Sequence, residues 1–246
     1  MDYLADLNEP QRQAVQHIDG PMLVLAGAGS GKTRVITRRV AYLLSQGVRP
    51  WEILAITFTN KAAGEMAKRI EHISAVNGIT ACTFHSLCAR LLRRYGELAG
   101  LEPNYSIYDR DDQIRVMKQA LEALHLSSKE QNPSQLLSAI SRAKNELQTA
   151  RVFESKAENH RDKMLSMIFN KYQAILTGNN AVDFDDLLLK MAILLRDRPD
   201  VQQELSRQYR YVLVDEYQDT NHAQYLLAHS IALEHGNLCV TGDPDQ

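Results

Sequence analysis

Five short runs are almost continuously apolar: PMLVLAG (21–27), EILAITFT (52–59), ITACTF (79–84), YRYVLVDE (209–216) and NLCVTGD (237–243). A strand with one solvated face alternates apolar and polar residues, whereas these runs do not, which predicts strands with both faces covered. The first three are separated by helical spacing. Ser30–Leu44 follows the first run, and Asn60–Ile73 follows the second with Asn60 as the expected N-cap. Strand and helix alternating in this way predict an α/β fold with a parallel sheet and right-handed crossovers.

Between the third run and the fourth the period changes. DDQIRVMKQALEALHL (111–126), NPSQLLSAISRAKNELQ (132–148), HRDKMLSMIFNKYQAIL (160–176) and DFDDLLLKMAILLRD (183–197) repeat apolar residues at helical spacing, with almost no strand signal. The pattern predicts a discontinuous α/β core, 1–106 and 196–246, with an inserted α-helical subdomain at 107–195. The chain stops at GDPDQ, directly after a strand, and so reads as a fragment of a longer protein.

The chemistry sits where the strands end. AGAGSGKT comprises Ala26, Gly27, Ala28, Gly29, Ser30, Gly31, Lys32 and Thr33. It has the spacing of a phosphate-binding P-loop, with Ala26 where the first glycine is often found. Glycines allow the positive φ and close backbone approach that an anion cradle needs, and the following helix adds the positive end of its dipole. Lys32 would face the β- and γ-phosphates of a nucleoside triphosphate, and the Thr33 hydroxyl would coordinate Mg²⁺. A chance glycine-rich turn is the plain alternative.

The run ending in Asp215–Glu216 supplies the expected second half. Asp215 would hold the metal, and Glu216 would orient and deprotonate an attacking water, which points to hydrolysis. Asp183–Asp186 is read as a helix start, not a metal site, because carboxylates favour the first N–H groups of a helix. In TFTNKAAGEM (57–66) and TFHS (83–86), hydroxyls and amides could hold phosphate oxygens. Phe58 or Phe84 could stack on an unpaired base, and core packing remains the alternative for both rings. For His85 a hydrogen-bonding role is preferred to a metal or catalytic one.

Charge changes this picture little. The 246 residues carry a net charge of −2, with 12 Lys and Arg against 9 Asp and Glu in residues 1–106, and 4 against 9 in residues 196–246. A nucleic-acid groove would therefore have to be local to the N-terminal part. No apolar run approaches a membrane span, so no membrane partner is expected. Three cysteines without metal spacing, and an N-terminus without a signal-type core, predict a cytoplasmic protein.

Taken together, LNEPQ (7–11), AGAGSGKT, TFTNKAAGEM, TFHS, VDEYQD (214–219) and GDPDQ (242–246) appear in the order of a known set. The chain resembles the N-terminal half of the UvrD/PcrA/Rep-type superfamily 1 DNA helicases. The resemblance implies a RecA-like P-loop NTPase core with an α-helical insert. It assigns Gln11 to the adenine edge, Arg34 to packing against the base, and Gln246 to sensing the γ-phosphate in catalysis beside Lys32 and Glu216. It places Phe58, Asn60, Thr83 and His85 against single-stranded DNA.

It further implies ATP and Mg²⁺ as ligands, and 3′–5′ movement on single-stranded or 3′-tailed duplex DNA in a repair setting with unidentified partner proteins. A second RecA-like domain, absent here, would supply the arginines that complete the ATP site, so these residues alone are not expected to unwind DNA. Competing readings are a P-loop kinase or signalling NTPase that ignores DNA, a nucleotide-binding module without catalysis, and a subunit of a helicase–nuclease.

Overall fold

Residues 3–246 are described by a computed structural model. In chain order the elements are α1 (Glu9–Gln16), β1 (Met22–Leu25), α2 (Lys32–Ser45), β2 (Ile53–Thr57), α3 (Asn60–Ser74), β3 (Thr80–Thr83) and α4 (Phe84–Tyr95). The next are β4 (Ser106–Ile107), α5 (Arg110–Ala123), α6 (Pro133–Asn145), α7 (Ala150–Ser155), α8 (His160–Gly178), β5 (Ala181–Val182) and α9 (Phe184–Asp197). The last are α10 (Pro199–Gln208), β6 (Tyr211–Val214), α11 (His222–Ala232) and β7 (Leu238–Gly242).

The chain divides into two compact units. The first contains the residues up to Leu87, Leu195–Thr220 and Gln224–Gln246; the second contains Cys88–Leu194 and Asn221–Ala223. In the first, all five apolar runs form one sheet in the order β1-β7-β6-β2-β3, with every neighbour parallel. Ile53, Ala55, Tyr211, Leu213 and Cys239 pack on one face against Ile36, Val40 and Leu43 of α2 and Met66 and Ile70 of α3. Residues of the opposite parity, Leu54, Ile56, Val212 and Val214, are also fully buried, so the central strands are covered on both faces. Burial pushes the Cys239 thiol up to about 11, as befits an inert thiol in this core.

Two local expectations are corrected. β1 does alternate: Leu23 and Leu25 are 59% and 60% exposed. β1 is an edge strand, with β7 its one partner among the described residues, and only one of its faces is covered. The cap of α3 is Thr59, whose hydroxyl accepts from the Ala62 N–H at 3.1 Å, and Asn60 is the first helical residue. Thr59 has the extended backbone a cap requires, and a cap one residue earlier frees the Asn60 amide for another partner.

The second unit is helical around Val116, Met117, Leu121, Ile140, Ile168, Phe169, Tyr172 and Leu176. Its helices begin at side-chain caps, Asp109 for α5, Asn132 for α6, Thr149 for α7 and Asn159 for α8. It also holds a two-stranded parallel pair, β4 with β5, too short to give a periodic signal. The six-residue α7 escapes sequence reading for the same reason.

Asp183 does start α9: its carboxylate accepts from the Asp186 N–H at 2.8 Å. It also does more than the helix start required. The buried Lys144 ammonium lies 2.7 Å from Asp183 and 2.8 Å from Asp186, while the Tyr172 hydroxyl donates to Asp183 at 3.0 Å.

Candidate functional site

Parallel strands present their C-terminal ends on one edge of a sheet, and open α/β folds bind ligands there. The loops leaving β1, β6 and β7 are adjacent on that edge because the three strands are adjacent in the sheet. From β1 the chain turns through Ala26–Gly31 into α2. Gly29 and Gly31 have φ of +74° and +91°, values that a side chain would strain. A Cβ on Gly31 would also stand 3.1 Å from the Gln11 amide nitrogen. Gly31 is the N-cap of α2 and places no side chain over the first turn, so the helix opens with bare backbone toward the strand ends.

Lys32 is the first residue of α2 and 7% exposed. Its ammonium donates to the Ala26 carbonyl at 2.9 Å and lies 3.6 Å from the Asp243 carboxylate. Asp243 in turn accepts from the Asp245 N–H at 3.1 Å and from the Gln246 amide at 2.9 Å. The Asp245 N–H, then Lys32 and Gln246, hold the Asp243 carboxyl below the usual range against the opposing effect of burial, so it is an anion at neutral pH.

One residue on, the Thr33 hydroxyl donates to Asp215 Oδ2 at 2.9 Å. Asp215 is 4% exposed, and its other oxygen accepts from the Thr241 hydroxyl at 2.7 Å and the Glu216 N–H at 3.1 Å. With Oδ1 fixed, Oδ2 and the Thr33 hydroxyl form a pair of hard oxygen donors. That donor set fits Mg²⁺, which takes few protein ligands and completes its octahedron with water and phosphate oxygens. Among the described residues no group of three His, Cys, Asp or Glu forms a self-sufficient metal cage.

Glu216 follows with φ +53° and ψ +45°, a left-handed conformation uncommon outside glycine and worth reading as imposed by its surroundings. Gln11 lies against the loop from the other side. Its amide donates to the Ser30 carbonyl at 2.9 Å and accepts from the Asn8 N–H at 3.1 Å, closing a capping box on α1. Arg34 is half-exposed and 3.7 Å from Asp6, a surface pair of small energetic weight.

The residues assigned to DNA lie at the ends of β2 and β3, the two strands on the far side of β6. Thr57 and Thr83 are register partners, so Phe58, Asn60, Thr83 and His85 leave neighbouring strands side by side. Phe84 is buried and belongs to the core, while Phe58 is half-buried and packs edge-on against it, ring centres 6.1 Å apart. The buried Thr83 hydroxyl caps α4 by accepting from the Ser86 N–H at 3.1 Å, and the Ser86 hydroxyl donates to the Asn60 amide oxygen at 3.2 Å. Three residues in this architecture went unassigned from sequence, Asp243, Thr241 and Gln218. Thr241 shares its strand parity with the buried Cys239, and only the β6–β7 pairing places its hydroxyl on Asp215.

The family model of the UvrD/REP helicase N-terminal domain matches residues 7–246. The chain is 46% identical over 246 residues to the ATP-dependent DNA helicase PcrA of Bacillus subtilis, covering 99% of this chain and 33% of the relative. It is 44% identical to proteins of the same name from Staphylococcus epidermidis and Staphylococcus aureus, covering 98–99% of this chain and 34% of each. The chain thus spans about a third of the length of these curated relatives. With its parallel RecA-like sheet, P-loop and ordered motifs, the chain belongs to the UvrD/REP helicase N-terminal domain family.

Proposed function

We propose that these residues are the ATP- and single-stranded-DNA-binding part of a 3′–5′ DNA helicase that acts in the cytoplasm on single-stranded or 3′-tailed duplex DNA. The observation that carries the reading is the Thr33–Asp215–Thr241 hydrogen-bonded set beside the Lys32–Asp243 pair, on the same sheet edge as Phe58 and Asn60. Lys32 and the first turn of α2 bind the phosphates. Thr33 and Asp215 hold Mg²⁺, which when bound neutralises charge on the phosphate oxygens. Glu216 orients the attacking water and accepts its proton, and Gln246 reads the γ-phosphate position through the Asp243 loop.

On this reading, arginines from a second RecA-like domain are required for turnover. Such a residue contributes about 10³–10⁵ in rate, so these 246 residues hydrolyse ATP close to background and do not unwind a duplex.

Adenine selection falls to Gln11, whose amide both donates and accepts. It must exchange its Ser30 and Asn8 bonds for the base, so its contribution is that of a neutral hydrogen bond, about 1 kcal/mol. Gln11→Ala should therefore weaken ATP about fivefold while leaving GTP within twofold, as read by competition against a fluorescent nucleotide. Equal loss for both nucleotides would make Gln11 only a brace for the P-loop.

The DNA half is tested at Phe58. Base–aromatic stacking contributes about 1–3 kcal/mol, so Phe58→Ala should lower oligothymidine affinity about 5- to 150-fold in a fluorescence titration. Binding should also weaken as salt rises, because phosphate contacts release counterions. Unchanged affinity would return this ring, like Phe84, to the core.

A further inference from the structure

The turn after β6 holds a side-chain amide with no role in the scheme above. Gln218 lies in the short 3₁₀ helix Tyr217–Asp219. Its Nε2 donates to Glu216 Oε2 at 2.7 Å, and its Oε1 accepts the main-chain N–H of Asp243 at 3.0 Å. The direction of this amide is forced: a backbone N–H can only donate, so Oε1 must face Asp243 and Nε2 must face Glu216. Flipping the amide would lose both bonds. Gly242 makes room for it, since a Cβ there would stand 3.3 Å from Gln218 Oε1.

We infer that Gln218 is a positioning residue, which fixes the Glu216 carboxylate and ties it to the loop bearing Asp243 and Gln246. A glutamate has three free torsions, and a base that must reach one water benefits from having one oxygen pinned. The left-handed backbone of Glu216 supplies the other restraint. The tie has a second consequence. Asp243 is the anion paired with Lys32, at 3.6 Å. An incoming phosphate competes with Asp243 for that ammonium. Any shift of the Asp243 main chain is then felt at Gln218, and through Nε2 at Glu216. Glu216 and the loop carrying Gln246 therefore move as one hydrogen-bonded piece.

This inference rests on the reading of the site as an ATPase, and the experiment separates the two. ATP turnover in the presence of single-stranded DNA is measured in the intact protein, with nucleotide affinity and melting temperature for each variant. Gln218→Met removes both bonds at nearly constant volume. Gln218→Glu keeps the acceptor for Asp243 but sets a second carboxylate against Glu216.

Both variants should bind MgATP within twofold of the parent and melt within a few degrees of it, while kcat falls about 100-fold, the size of effect that a misplaced catalytic group produces. If kcat stays within twofold of the parent while Glu216→Gln is inactive, Gln218 does not position Glu216 and the inference falls alone. If affinity, kcat and melting temperature fall together, the role is structural and the inference falls as well. Should Glu216→Gln itself turn over normally, the ATPase reading is overturned and this inference with it.

Discussion

Lys32→Ala is expected to weaken Mg·ADP binding to this chain by about 100-fold. A hydrogen bond to a charged group contributes about 1.5–3 kcal/mol, or roughly 10- to 150-fold, and in the proposed site the lysine would offer one directly to the β-phosphate. The structure raises the expectation toward the upper end. Asp243, 4% exposed, lies 3.6 Å from the ammonium and keeps its charge through the Asp245 N–H and the Gln246 amide after the lysine is gone. The variant therefore loses a cation and keeps an anion facing the phosphates.

That second contribution can be isolated. Adding Asp243→Asn to Lys32→Ala removes the repulsion and should recover about tenfold of the loss, and Asp243→Asn alone should strengthen binding, because it takes away the phosphate's competitor for the ammonium. Calorimetry on the parent and three variants decides the matter. Affinity unchanged in Lys32→Ala would place the phosphates elsewhere on the sheet edge.

The sheet and the residues of the phosphate loop were legible in sequence for a physical reason. Strands buried on both faces have no polar position to interrupt them, so the runs through Ile53–Thr57 and Tyr211–Val214 stand out unaided. Gly29 and Gly31 mark themselves because their backbone admits no other residue comfortably. β1 misled because its outward leucines are apolar yet exposed, and composition cannot tell a covered leucine from an uncovered one.

What sequence could not reveal is which polar groups meet across strands. Thr241 on Asp215, Asp243 on Lys32 and Gln218 between Glu216 and Asp243 all join residues brought together only by the order β1-β7-β6 and the parallel register. Pairing is a tertiary fact, and no spacing along the chain encodes it.

The largest stability effect is expected at a position that the sequence presents as an ordinary helical lysine. Lys144 is fully buried in the helical unit, between Asp183 and Asp186 and over the rings of Phe169 and Tyr172. Burial acts to lower the ammonium's pKa, and the two carboxylates outweigh it and raise it above the ordinary lysine value. Burial also acts against the charge on Asp186, but Lys144 and the Gln173 amide prevail and hold that carboxyl below its usual range. Asp183 goes the other way, raised first by burial and then by the facing Asp186.

Removing one partner of a buried ion pair costs about 3–5 kcal/mol, because the remaining charge has no solvent to replace it. Lys144→Met leaves two carboxylates facing each other with only Tyr172, Gln173 and main-chain donors, and should destabilise the helical unit by about that amount at pH 8. The sign of the pH dependence follows. Without the ammonium, burial and the facing carboxylate should raise both folded-state carboxyls above their unfolded values. Such groups contribute their full stability below the unfolded carboxyl pKa and lose it as pH rises through the folded value. The deficit of Lys144→Met relative to the parent should therefore shrink steadily as pH falls from 8 toward 5. Denaturant melts at several pH values measure it directly, and a deficit that grows on acidification would show that Lys144 does not neutralise this pair. Replacing all three charges together, Lys144→Met with Asp183→Asn and Asp186→Asn, keeps the cap acceptors and should recover most of the loss with little dependence on pH.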